Sequence, residues 1–87
     1  MATEVRSLIE RIADADEVWE ERRFTIYRNG ESRPLTLTIS DQGEYAGSFR
    51  YSVLVEGVGP TDSVRATGNP AATVEDALHA VHWDQLN

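Results

Sequence analysis

Asp76, His79 and His82, near the C-terminus, are the residues best spaced to do chemistry in this chain. The run Asp76-x-x-His79-x-x-His82 would line one carboxylate and two imidazoles along one side of a helix. Zinc takes three or four convergent protein ligands in a fixed tetrahedron, and no evident fourth ligand exists elsewhere, so no metal is expected. The plain reading is a set of exposed polar positions beside an apolar stripe. The alternative is a proton-linked contact, because imidazole titrates near neutral pH.

Nucleophilic catalysis has even less support. Ser7, Ser32, Ser40, Ser48, Ser52 and Ser63 lack the turn context of an activated serine, and both histidines sit far along the chain. Glu20 and Glu21 are adjacent on what reads as a strand, which points them to opposite faces and rules out a shared acid/base role. Gly57-Val58-Gly59 is stopped by Pro60 and is too short for a dinucleotide fingerprint. No catalytic residue, cofactor or enzymatic activity is expected.

Charge placement carries more information. All 8 basic residues are arginines, set against 15 carboxylates for a net charge of −7. Residues 1–21 hold seven acids and two arginines, a balance of −5. Residues 22–50 hold five arginines and three acids, +2, and residues 51–87 hold one arginine and five acids, −4. The sharpest candidate site is the acidic segment Asp14, Asp16, Glu17, Glu20 and Glu21, with Trp19 among them. Its plain reading is a solvated face. As a contact surface it would speed encounter with a basic protein groove, while Trp19, Phe24 or Tyr27 supplied affinity. Arg22 and Arg23 follow directly and either dilute the field or pair with it internally. Trp19 and Trp83 could each serve instead as core.

These residues need elements to position them. Val5, Leu8, Ile9 and Ile12 recur at helical spacing and predict a helix over 3–15, capped by Thr3 and frayed near Asp16. Phe24 and Ile26 then alternate with polar residues as a strand, and Asn29-Gly30 suits a tight hairpin. With Arg28 opposite Glu31, Phe24 faces Leu35, and Leu35, Leu37 and Ile39 share its inward side. Pro34 suits the start or edge of the second strand. Residues 41–47 read as a polar loop. A third strand starts at Phe49 and continues through Tyr51, Val53 and Val55, and a short fourth spans 63–67. A last helix over 70–84 has two candidate starts, Asn69-Pro70 and the capping box Thr73 with Asp76. Ala71, Val74, Ala77, Leu78 and Val81 form its stripe. The expected fold is one α+β domain over 1–87, α-β-β-β-(β)-α, with three or four antiparallel strands and both helices on one face.

A chain of 87 residues buries only about 60–65% of its unfolded surface, enough for one modest core. It has no cysteine, and charges interrupt its N-terminal apolar positions, so a cytoplasmic address is expected. No apolar run approaches the ~20 residues of a membrane span. The acidic balance argues against direct contact with a phosphate backbone.

In element order the chain resembles the double-stranded-RNA-binding domain. That family grips phosphates with lysines opening its last helix. The matching stretch Gly68-Asn69-Pro70-Ala71-Ala72-Thr73-Val74-Glu75-Asp76 has none and is acidic, so the resemblance implies architecture and not RNA contact. The segment from Ala66-Thr67-Gly68 through Thr73-Val74-Glu75-Asp76-Ala77-Leu78 is similar to the strand-to-helix joint of HicB-like antitoxins, whose helix opens Thr-x-Glu-Glu-Ala. That implies a regulatory module that binds a toxin or dimerises through its sheet. In size, acidity and architecture the whole chain resembles phage-encoded anti-CRISPR proteins. This implies a non-enzymatic inhibitor, monomer or homodimer, that blocks a basic nucleic-acid-binding surface of a CRISPR effector in the cytoplasm of a bacterial host.

Overall fold

A computed structural model describes residues 2–28, 33–58 and 64–86. Helix α1 spans Ala2–Ile12, β1 Glu20–Ile26, β2 Leu35–Asp41, β3 Tyr51–Gly57, β4 Arg65–Thr67 and α2 Val74–Ala80, with 3₁₀ segments at Glu44–Phe49 and Trp83–Leu86. The fold is α+β: a helix, a four-stranded antiparallel meander in the order β1-β2-β3-β4, and a second helix.

The alternation in β2 and β3 sets the core. Leu35, Leu37, Ile39, Val53, Val55 and Ala66 are buried on one face of the sheet, with Ala77 of α2, Val81 just beyond its end and Leu86 of the last 3₁₀ turn above them. Phe24 and Ile26 lie on the same face, as expected, but the register differs by two. Phe24 pairs with Leu37, Ile26 with Leu35 and Arg22 with Ile39. A slip of two preserves every inward and outward position, so the hydrophobic pattern cannot distinguish the two registers. The first strand stops at Ile26 and the second starts at Leu35. The Asn29-Gly30 turn and the Arg28–Glu31 pairing lie outside the described residues, as does Ser63 of the expected fourth strand.

Helix α1 starts one residue earlier than expected, placing Thr3 inside the first turn, and ends at Ile12 rather than 15. Asp14 takes the left-handed conformation, φ 54, and the Ala15 N–H reaches back to the Glu10 carbonyl at 3.1 Å. This closes the helix as a Schellman turn, with aspartate where glycine is usual. The carboxylates beyond it oppose the helix dipole and give the helix no reason to continue.

The third strand starts at Tyr51, not Phe49, because the preceding segment coils. Gly43 (φ 99) and Gly47 (φ 56) turn the chain through the 3₁₀ segment, leaving Phe49 exposed. Of the two candidate starts for α2, the one at Thr73 forms: the Thr73 hydroxyl caps the helix by accepting from the Asp76 N–H at 3.1 Å. Asn69-Pro70 does not start the helix, because Ala71 is held extended by two backbone hydrogen bonds to Tyr51 at 2.8 and 2.9 Å. The helix ends at Ala80, not 84, since Val81 turns extended (ψ 137) and the chain re-coils to insert Leu86 into the core. Trp83 closes this end, donating its indole N–H to the Leu78 carbonyl at 3.0 Å, with Arg28 stacked 5.4 Å from its ring.

Candidate protein-contact surface

The helices cover the sheet unequally. Helix α2 packs over β3, whereas the stripe of α1 stays largely in solvent: Val5, Leu8, Ile9 and Ile12 are 41–76% exposed. Trp19, just before β1, and Phe24 within it are also half exposed, at 48% and 47%. Val5, Arg6 and Ile9 lean against Val18, Trp19 and Glu20 around a shallow cavity of about 280 Å³.

Arg6 anchors α1 to this end of the sheet. Its guanidinium donates to the carbonyl of Val18 at 2.8 Å and to that of Asp41 at 3.3 Å, and approaches the Asp41 carboxylate at 3.9 Å. Asp41 is the hub of the region. Its carboxylate accepts from Arg50 at 2.8 and 3.1 Å and from the Gly43 N–H at 2.9 Å, closing the loop between β2 and β3. The hydrogen-bonded Arg50 guanidinium holds the Asp41 carboxyl below its ordinary 3.8, with smaller help from the Gly43 N–H and from Arg6. Ionised Asp41 therefore favours the folded state. That contribution is full above the ordinary value and drains away as pH falls from 3.8 through the folded-state value. Asp41→Asn is expected to lose about 1–2 kcal/mol at neutral pH. In denaturant titrations at stepped pH, the gap between wild type and variant should close below pH 3.8.

The acidic residues are only partly gathered. Asp14, Asp16 and Glu17 are exposed in the connector between α1 and β1. Glu17 accepts from the Trp19 indole N–H, and also from the Tyr45 hydroxyl at 3.0 Å, which ties the connector to the 3₁₀ segment. Glu20 and Glu21 diverge, as expected of strand neighbours. Glu20 lies opposite Asp41 on the core-side face, and Glu21 opposite Ser40 on the outer face, where it accepts from the Ser40 hydroxyl at 3.3 Å. Among the described residues, neither Arg22 nor Arg23 forms a salt bridge with the segment. Both arginines are exposed, so they dilute the acidic field rather than pair with it.

Sequence reasoning missed two features of this surface. The apolar stripe of α1 was legible as a stripe, but periodicity does not say what covers it. Arg6, Asp41 and Arg50 come from separate elements, and nothing local signals their meeting.

His79 and His82 are both exposed. His79 faces Glu75 one turn away at 3.9 Å, while Asp76 donates its backbone N–H to the Thr73 hydroxyl at the helix cap. Among the described residues no group of three or more His, Cys, Asp or Glu side chains could hold a metal ion, and no helix is long and apolar enough to cross a membrane. Compared with known proteins, the chain matches no family model, and no curated protein or solved structure shows significant similarity to it.

Proposed function

We propose that the chain is a non-enzymatic inhibitor that acts by protein–protein contact, of the anti-CRISPR type, in the cytoplasm of a bacterial host. Its contact surface is the acidic segment Asp14, Asp16, Glu17, Glu20 and Glu21 with Trp19. The target is a basic, nucleic-acid-binding surface of a CRISPR effector. One observation carries this reading: exposed carboxylates border an exposed apolar stripe of α1 and the half-exposed Trp19. Charge alone would be a solvated face, and apolar area alone would be unspecific. Together they supply the steering and the desolvated anchor that a protein interface uses.

The test is competition with target DNA across a panel of purified CRISPR effector complexes. Wild-type protein is expected to reduce DNA binding by at least one of them. The variant D14N/D16N/E17Q/E20Q/E21Q should be weaker by about tenfold or more, since it removes all five charges of the acidic segment. Undisturbed DNA binding throughout the panel, or equal potency of the variant, sinks the proposal.

A second reading, a HicB-like regulatory module that binds a toxin or dimerises through its sheet, is favoured by a different observation. Strand β1 is exposed over Glu21 to Thr25, with neither of its faces covered.

A further inference from the structure

Strand β1 is outermost in the sheet, and among the described residues no backbone hydrogen bond reaches it from any segment but β2. Among the described residues its other side is a ladder of backbone donors and acceptors with no strand against it, the usual template for pairing with a further strand. The opposite edge, β4, is only three residues long. Charged side chains commonly blunt such edges, since like charges brought directly opposite one another repel an approaching copy. The charges on β1 do the reverse. Glu20-Glu21-Arg22-Arg23 presents two acids and then two bases, so an antiparallel copy brings acids against bases.

We propose that two copies of this chain pair antiparallel through the free edge of β1, joining two four-stranded sheets into one. A two-fold axis normal to the sheet leaves each face on its own side, so residues opposite one another must share a face. Two centred registers satisfy this. One places Glu20 opposite Arg22 of the second copy, with Glu21 at the axis and Arg23 of each copy diagonal to it. The other places Glu21 opposite Arg23 of the second copy, with Arg22 at the axis and Glu20 diagonal to it. Both give two opposite-charge pairs and offset the like pair at the axis through its diagonal neighbours. Arg22 and Arg23 have no salt-bridge partner in the acidic segment of their own chain, so their charge is available for this contact. The inference names the strand and the pairing for the second functional reading and does not depend on the first.

Sedimentation equilibrium over a concentration series tests it with no other protein present. Wild type is expected to dimerise below about 1 mM, the weakest affinity that a specific contact of this kind would show. E20R/E21R and R22E/R23E should each dimerise at least about tenfold more weakly, and an equimolar mixture of the two should recover a dimer. A wild-type monomer at all concentrations overturns the proposal. So do reversal variants that dimerise as wild type does, or a mixture that stays monomeric. Should a reversal variant fail to fold, hydrogen exchange of wild type decides. Exchange at β1 amides should slow as concentration rises, and rates unchanged by dilution contradict the inference.

Discussion

Gly68→Ala is expected to destabilise the domain by about 3 kcal/mol, the upper end for a forced overpacking. A methyl group at this position would fall on the backbone carbonyl of Ala80 and well inside contact of the Val81 nitrogen. Both obstacles are main chain at the end of α2, so no side-chain rotation relieves them. The left-handed conformation is not involved, since Gly43 and Gly47 are the glycines with positive φ among the described residues. The chain after β4 and the end of α2 must separate instead, which strains the hydrogen bond from the His82 N–H to the Thr67 carbonyl at 3.1 Å. For a domain of this size that is a fall in Tm of about 12–24 °C, readable in a thermal melt. A variant melting within a few degrees of wild type would show that the β4–α2 junction is looser than described.

Leu86→Ala is the second large effect, expected at about 3 kcal/mol from lost burial and the cavity left behind. Leu86 is 2% exposed and shares the core with Leu35 and Val55, although it lies one residue from the end of the chain. Its carbonyl accepts from Arg33 at 3.0 Å, which pins the turn from the other side. A domain of 87 residues is stable by about 4–13 kcal/mol, so this one side chain accounts for a substantial share. Urea titration should show the midpoint shift with an unchanged slope. An unshifted midpoint would mean that the last turn does not close the core.

Much of this fold was legible because strand periodicity has few competitors. The alternation of Leu35, Leu37 and Ile39 with Val53 and Val55 identifies the buried face, and the Thr73 and Asp76 spacing identifies the start of α2. Other features depend on information that no local pattern holds. The β1–β2 register is invisible to a period of two. Phe24 lies on the predicted face yet remains half exposed, because α2 packs over β3 rather than over β1. Leu86 sits in a 3₁₀ turn, whose short run carries no recognisable spacing, so its burial comes as a finding of the fold.

The candidate surface follows the same division. The carboxylates and Trp19 could be named from the sequence, and the divergence of Glu20 from Glu21 follows from strand geometry. The role of Arg6 could not, because its partners Val18 and Asp41 lie 12 and 35 residues away along the chain. Nor could the exposure of Val5, Leu8, Ile9 and Ile12, a stripe expected to pack on the sheet.

The central claim is that this surface binds a basic protein groove through its carboxylates. Titration calorimetry against the effector complex selected by the competition assay, at low and at physiological ionic strength, tests it most directly. Wild type is expected to bind with a Kd that weakens markedly as salt rises, and D14N/D16N/E17Q/E20Q/E21Q to bind more weakly with most of that salt dependence gone. Equal affinity and equal salt dependence for the two proteins would contradict the claim and leave the acidic segment a solvated face.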